Sequence, residues 1–392
     1  MRTLEGLTVV TFEHAIAAPF CTRQLADLGA RVIKVERPGA GDFARNYDTR
    51  TRGLASHFVW VNRSKESLTL DIKHPKARAV LDALIAKADV VVQNLAPGAA
   101  ARLGISWQLL STKYPRLTLC DISGYGPDGP YRDKKAYDLL IQSEAGLVSI
   151  SGTQEHPSKS GASIADIAAG MYAYSNILAA LLRRGVTGKG SHIEVSMLEA
   201  MVEWTSYALY YTYDGAQPPA REGASHAAIF PYGPFTSGNG ITVILAVQNE
   251  REWESFCLRV LERPDVLANP AYSGNPQRVA LRKELGLIVE NVFHSLTGEQ
   301  LIARLDKAEI ANALMNDMHA VWDHPQLHAR DRWTEIDSPV GKLRALFPPG
   351  MSRKDDPRMG AVPSLGQHTD IVLRDLGFDF ADIKALKTAG AV

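Results

Sequence analysis

The sequence predicts an α/β protein built on a parallel sheet. Short apolar strands alternate with helical patterns through the first third of the chain. The helices are long enough to serve as crossovers between parallel strands. A length of 392 residues suffices for two domains and at least one large core.

The strands begin with "LTVVTF" (7–12), followed by a helix over 17–29 that ends at Gly29. Next come the strand "RVIKVE" (31–36), the helix "KARAVLDALIAKA" (76–88), and the strands "DVVVQNL" (89–95) and "PRLTLCDIS" (115–123). A long helix after Ser163, the strand "SHIEVSM" (191–197) and a helix over 198–212 follow. The texture then changes. "DGAQPPAREGASHAAIFPYGPF" is rich in Gly, Pro and Ala and reads as a linker or binding loop. The strand "GITVILAV" (240–247) and several amphipathic helices up to about 320 suggest a smaller second domain. A loop-rich stretch and a short helical pattern, "TDIVLRDLGF", end the chain. Neither 20–50-residue repeats nor low-complexity tracts occur.

Basic and acidic residues balance at 43 each, so nothing in the charge points to nucleic acid or an anionic membrane. The start "MRTLEGLTVVTFEH" lacks the long apolar region of a secretory signal, and apolar stretches read as too short for a membrane span. Cys21, Cys120 and Cys257 are far apart with no C-x-x-C pair, which points to reduced thiols in a cytoplasmic protein. The usual phosphate-loop, zinc-protease and serine-hydrolase signatures do not occur, so no metal is expected.

"SGASIADIAAGMYAYSNILAALL" (160–182) carries one carboxylate, Asp166, near the start of an apolar helix. Ile167, Met171, Tyr174, Leu178 and Leu181 recur at helical spacing and suggest a buried face, with Gly185 as C-cap. Ser163 suits the N-cap, which puts Asp166 at the third helical position, within reach of a capping box. A helix N-terminus also favours an ionised carboxylate. A capping aspartate and an anionic nucleophile look alike at this point.

"GYGPDG" (124–129) matches G-x-G-x-x-G, but Pro127 and Pro130 prevent the helix that a dinucleotide fingerprint must open, so no nicotinamide cofactor is expected. In "GARVIKVERPGAGDFAR" a strand ends at Glu36-Arg37-Pro38, and "NLAPGAAARLG" follows the next strand. Arg37 and Arg102 therefore fall at the C-terminal strand edge, where open α/β sheets bind ligands. Either guanidinium suits a phosphate.

Taken in order, seven segments resemble the class III CoA-transferases. They are "LADLGARVIKVERPGAGDFAR", "NRSKESLTLDIKHP", "NLAPGAAARLG", "GYGPDGP", "AYDLLIQSEAGL", "IADIAAGMYAYSNILAALLRR" and "LGQHTDIVLRDLG". Each block is weak alone; seven in the right order are specific. The resemblance implies a Rossmann-like large domain from 1–205 and 340–392, a small α/β domain over 226–325, and linkers at 206–225 and 326–339. It also implies an interlocked homodimer that handles acyl-CoA and small carboxylic acids. Asp166 takes the position of the family's nucleophile. Arg37, Ile72, Lys73, Asn94, Pro97, Arg102 and Lys135 match its CoA-contacting segments. Tyr137 lies in its "YD" motif, and His226 in the loop replacing its glycine loop. His14 and Ile16 lie in the first strand–helix turn, where the formyl-CoA members carry a glutamine used with oxalate; Ile16 makes oxalate doubtful.

Racemases of the same superfamily place a histidine where Tyr137 stands, and tyrosine is a poor base at neutral pH. The first blocks look most like the dicarboxylate branch. Succinyl-CoA with itaconate is the expected pair; malate, citramalate, and intramolecular C1–C4 transfer within mesaconyl-CoA are the alternatives. Arg45, Arg50 and Arg52 are candidates for the distal carboxylate.

Overall fold

A computed structural model describes residues 1–392 as two compact units. The first comprises Met1–Gly146, Ser160–Ser206 and Leu327–Val392. Its centre is a parallel sheet of β1 (Thr8–Phe12), β2 (Arg31–Glu36), β3 (Lys65–Thr69), β4 (Val90–Gln93), β5 (Thr118–Ser123) and β6 (His192–Ser196). The spatial order is β3-β2-β1-β4-β5-β6, the doubly wound order of a Rossmann-like fold. Strands such as β4 read as continuous Val runs because both faces are covered. On one face Val10, Phe12, Val91 and Leu119 pack with Leu81 and Leu84 of the helix Ala77–Lys87 and with Val372, Leu373 and Ile383 near the C-terminus. The helices Ala17–Asp27 and Ile164–Thr187 pack against strands of the same sheet and against each other. An antiparallel hairpin, Trp333–Ile336 with Leu343–Leu346, packs with Phe58 and Val362 in a smaller cluster.

β3 is the one strand of this parallel sheet missing from the pattern-based reading. Its "KESLT" looks like a polar loop, yet Lys65 and Ser67 are buried. Their partners supply what water would: Glu13 for Lys65 and Glu36 for Ser67. The helix expected over 198–212 is two helices, Met197–Trp204 and Ser206–Tyr211, separated at Thr205.

The second unit comprises Leu147–Lys159 and Tyr207–Gln326. Residues 147–159, expected within the large domain, are tied into this unit. Arg221 donates to the carbonyls of Ser149, Thr153 and Gln154, and Gly223 N–H to that of Gly152. An antiparallel sheet of β7 (Tyr232–Thr236), β8 (Thr242–Ala246) and β9 (Ala311–Leu314) belongs to it. Val243, Leu245, Trp253, Phe256, Phe293 and Leu305 form its core.

The helix Ile164–Thr187 is 24 residues long and apolar enough by composition to cross a membrane, which corrects the reading that no stretch reaches that length. It is a core helix of the first unit. Its buried residues are Ala165, Ala168, Ala169, Gly170, Ala173, Ile177, Ala180 and Arg184. That face corrects the expected one: Ile167, Met171 and Tyr174 are only half-buried. Small residues face inward because the Ala17–Asp27 helix comes so close. A Cβ on Gly170 would lie 2.7 Å from the Ala17 carbonyl oxygen. The C-cap is Gly188, in left-handed backbone with φ 70, and not Gly185.

Candidate active site

β1 and β4 are neighbours in space although two strands lie between them in sequence. The strand order reverses there, and at the C-terminal edge such a point forms a crevice. The turn leaving β1 at this crevice is held from two sides. Asn94 accepts from the His14 N–H at 2.9 Å and donates to the His14 carbonyl at 2.9 Å. Asp42 accepts from the Ala15 N–H at 3.2 Å and the Ala44 N–H at 2.9 Å. Ala15 has φ 60, a left-handed conformation costly for alanine that these bonds sustain. Ile16 follows as helix N-cap, and Ala17 opens the helix.

Beneath the turn lies a buried ion cluster. Lys34 reaches Asp42 at 2.8 Å and Glu13 at 3.2 Å; Lys65 reaches Glu13 at 2.6 Å. Thr11 and Thr22 hydroxyls also donate to Glu13. Burial alone would raise the Glu13 pKa, but Lys34 and Lys65 outweigh it and hold the carboxyl at about 2. Burial pushes the Lys65 ammonium down to about 8, against the pull of Glu13. Every strong partner is present, as a buried charge requires.

Asp166 sits on the first turn of its helix, and the Ala17 N–H hydrogen-bonds its carboxylate. The expected capping box is absent: Ser163 makes no side-chain cap bond. Asp138 does that work from another helix, Asp138–Glu144. Its Oδ1 accepts from the Ala165 N–H at 2.9 Å and the Asp166 N–H at 3.4 Å. Its Oδ2 accepts from Gln142 Nε2 at 2.6 Å, and Gln142 Oε1 accepts from the Ser160 N–H. Burial, then the Asp138 charge, raise the Asp166 pKa to about 7, with Ala17 opposing. The simple expectation that the helix N-terminus keeps Asp166 ionised is thereby corrected. The N-terminal amides are already engaged by another carboxylate.

Tyr47, which senses the Asp166 charge, belongs to a chain of ring contacts. His14 stacks on Phe43, Phe43 meets Tyr47, and Tyr47 meets His57 edge-on. Tyr47 and Tyr137 are well exposed. Burial, then the charges of Asp42 and Asp166, push the Tyr47 phenol up to about 12, which places Tyr47 within electrostatic reach of Asp166. Burial likewise lowers the His14 pKa, with Asp42 opposing. Tyr47, Asp42, Asp138, Glu13, Lys34 and Lys65 were not singled out as site residues from the sequence. The signal available was a lysine set among Val32, Ile33 and Val35 in the strand "RVIKVE".

Arg37, Lys73, Arg102 and Lys135 all follow parallel strands at one sheet edge, and all are exposed. None of the four forms an ion pair within the chain. Ile72 is half-buried against the core, while Pro97 is exposed beside Gly98 at φ 71. Two candidates, Ile16 and Arg45, read differently in three dimensions. Ile16 is buried, so its side chain packs inward and offers no substrate contact. Arg45 grips Glu36 through two bonds of 2.8 Å, donates to the Pro363 carbonyl and stacks on Phe58, so most of its binding capacity is spent within the chain. Arg52 is exposed and donates to the Lys342 carbonyl; Arg50 is exposed. His226 lies in the second unit, stacked on Tyr232, with its Nδ1 accepting from the Ala228 N–H. Burial keeps the Cys120 and Cys257 thiols protonated.

The profile of CoA-transferase family III matches residues 4–369. Human succinyl-CoA:glutarate CoA-transferase is 32% identical over 397 residues, covering 100% of this chain and 90% of the relative. A formyl-CoA:oxalate CoA-transferase of Rhodopseudomonas palustris (strain BisB18) is 30% identical, covering 100% and 97%. The crystal structure of a CAIB/BAIF family protein from Brucella suis superposes with a TM-score of 0.83 at 30% identity, over 96% of this chain and 99% of its own.

Proposed function

Because the chain belongs to CoA-transferase family III, and is an enzyme moving CoA between an acyl-CoA and a carboxylic acid, we propose that Asp166 is its covalent nucleophile and a four- or five-carbon dicarboxylate its acceptor. The observation that carries the reading is the Asp166 carboxylate itself. It is half-buried on the first turn of a helix, hydrogen-bonded to the Ala17 N–H, and within electrostatic reach of the Tyr47 phenol.

The proposed reaction exchanges acyl groups on one carboxylate. Asp166 attacks the thioester carbonyl, and CoA thiolate leaves to give a mixed anhydride. The thiolate then attacks the aspartyl carbonyl. The donor acid departs as a carboxylate, leaving an aspartyl-CoA thioester. The acceptor carboxylate attacks that thioester, forms a second anhydride and frees the thiolate again. Attack of the thiolate on the acceptor's acyl carbon yields the new acyl-CoA and restores Asp166. No net proton is taken up.

Arg37, Lys73, Arg102 and Lys135 would take the phosphates of CoA, with Ile72, Asn94 and Pro97 framing its adenine end. His14 and Tyr137 would contact the acids, and Arg52 remains a candidate for the distal carboxylate. Succinyl-CoA is the proposed donor and itaconate the proposed first acceptor. The naming of relatives as succinyl-CoA:glutarate transferases supports a five-carbon diacid as a class.

A mass-spectrometric exchange assay tests this. Succinyl-CoA is mixed separately with itaconate, glutarate, mesaconate, malate, citramalate and oxalate, beside an Asp166→Ala enzyme, and mesaconyl-C1-CoA is incubated alone. The CoA thioester of the acceptor diacid, formed together with succinate only by the Asp166 enzyme, is expected. Full turnover by Asp166→Ala rejects the nucleophile. Exchange with oxalate alone rejects the four- or five-carbon class, and rearrangement in the last tube alone identifies intramolecular transfer.

A further inference from the structure

The helix that carries Asp166 is closed by a carboxylate from elsewhere. A helix of 24 residues leaves its first N–H groups without intrahelical partners. Two local groups are placed to serve them, the N-cap Ser163 and the third-position Asp166. Neither does: Ser163 makes no cap bond, and Asp166 turns to the Ala17 N–H of another helix. Asp138 takes two of the open amides instead. It is itself held on its second oxygen by the fully buried Gln142, which is fixed in turn by the Ser160 N–H.

We propose that Asp138 is a positioning residue for the Asp166 nucleophile: by closing the amides of the Asp166 helix with its own charge, it frees the Asp166 carboxylate for acyl transfer and favours its acylated forms. The inference rests on Asp166 being the nucleophile. Its electrostatic logic follows from charge. Three N–H donors stabilise Asp138 as an anion. Two nearby carboxylates share few counter-charges, so the one with fewer donors bears the cost of ionisation. That one is Asp166, which accepts from the Ala17 N–H. The anhydride and thioester of Asp166 are both neutral. Asp138 therefore raises the energy of free Asp166 carboxylate relative to each covalent state, and makes that carboxylate a more basic attacking group. Of the titratable groups around Asp166, Asp138 shifts it directly, and the Tyr47 phenol, itself in the field of Tyr137, also senses its charge.

Asp138→Asn separates charge from shape, because an amide oxygen can still accept from the Ala165 N–H. The expected results are three. The acidic limb of the kcat–pH profile moves to lower pH by about one unit or more. The fall in kcat exceeds any change in KM for acyl-CoA. Intact-protein mass spectrometry after mixing with acyl-CoA shows less covalent aspartyl intermediate. An acidic limb in its original place, with kcat within twofold of the parent enzyme, overturns the proposal. Should Asp138→Asn fail to fold, infrared titration of the parent enzyme against Asp166→Asn decides. A protonated carboxyl band that titrates near neutrality supports the proposal, and one that titrates in the ordinary carboxylate range rejects it. Full activity of Asp166→Asn in the same buffers would instead reject the nucleophile, a distinct outcome.

Discussion

Asp166 occupies a place where its charge costs stability. Its folded pKa of about 7 lies above the ordinary aspartate value of 3.8. The native state therefore binds a proton more tightly than the unfolded chain between those two values. Stability from this group is present below the lower value, falls as pH rises through about 7, and stays low above it. Asp166→Asn removes that cost at neutral pH, and we expect a gain on the order of 1–3 kcal/mol after allowance for partial solvent access. Thermal unfolding at pH 8 should show a higher Tm for the variant than for the parent, and the difference should shrink at pH 5. An equal or lower Tm at pH 8 would mean the carboxylate is better solvated than its surroundings indicate. Arg37 poses the opposite case, an exposed cation with no ion pair at the sheet edge. Arg37→Ala should weaken CoA binding by roughly 5–10-fold, about 1–1.4 kcal/mol, with kcat little changed. Calorimetric titration with CoA measures it directly, and an unchanged Kd removes Arg37 from the site.

The site depends on how closely two helices approach. Gly170 faces the Ala17 carbonyl and the Phe20 ring, and an added methyl would lie 2.7 and 3.1 Å from them. Alanine gains roughly 1 kcal/mol of helix propensity over glycine. The contact with a backbone oxygen cannot relax without moving the Ala17–Asp27 helix, so the steric cost wins. Gly170→Ala should destabilise by about 1–3 kcal/mol and lower kcat, because the moved helix carries the Ala17 N–H away from Asp166. Denaturant unfolding and steady-state kinetics check both halves; a neutral variant would show that the helices do not meet there. This contact also explains what the sequence concealed. The parallel sheet was legible because strands and crossover helices alternate in the pattern itself. The buried face of the Asp166 helix was not, because periodicity weighs Ile167, Met171 and Tyr174 above alanines. β3 was hidden because its polar groups are buried with partners 31 and 52 positions away in the chain, Glu36 for Ser67 and Glu13 for Lys65. Asp166 could be singled out from the order of seven motifs, whereas Asp138 reaches the Asp166 helix across 27 residues by a contact no local rule announces.

At the scale of the whole molecule, the segment after β6 is the part a single chain leaves unexplained. Tyr207, Tyr210 and Tyr213 are 63%, 75% and 71% exposed, and Trp204 and Leu209 are exposed beside them. So many aromatic groups in a run of ten residues are more than isolated surface hydrophobics, and clustered apolar surface marks a place of association. We propose that this segment is covered in a homodimer of the interlocked kind that the family resemblance implies. Two consequences follow from that topology and not from simple face-to-face association. The solution mass should be twice 42.8 kDa at micromolar concentration. Differently tagged dimers, mixed under native conditions, should fail to exchange subunits over hours, because linked chains separate only by unfolding. After denaturation and joint refolding, hybrids should form in statistical proportion. Native mass spectrometry reads both experiments. A monomeric mass would reject the dimer altogether, whereas rapid exchange without unfolding would keep the dimer and reject the interlocking.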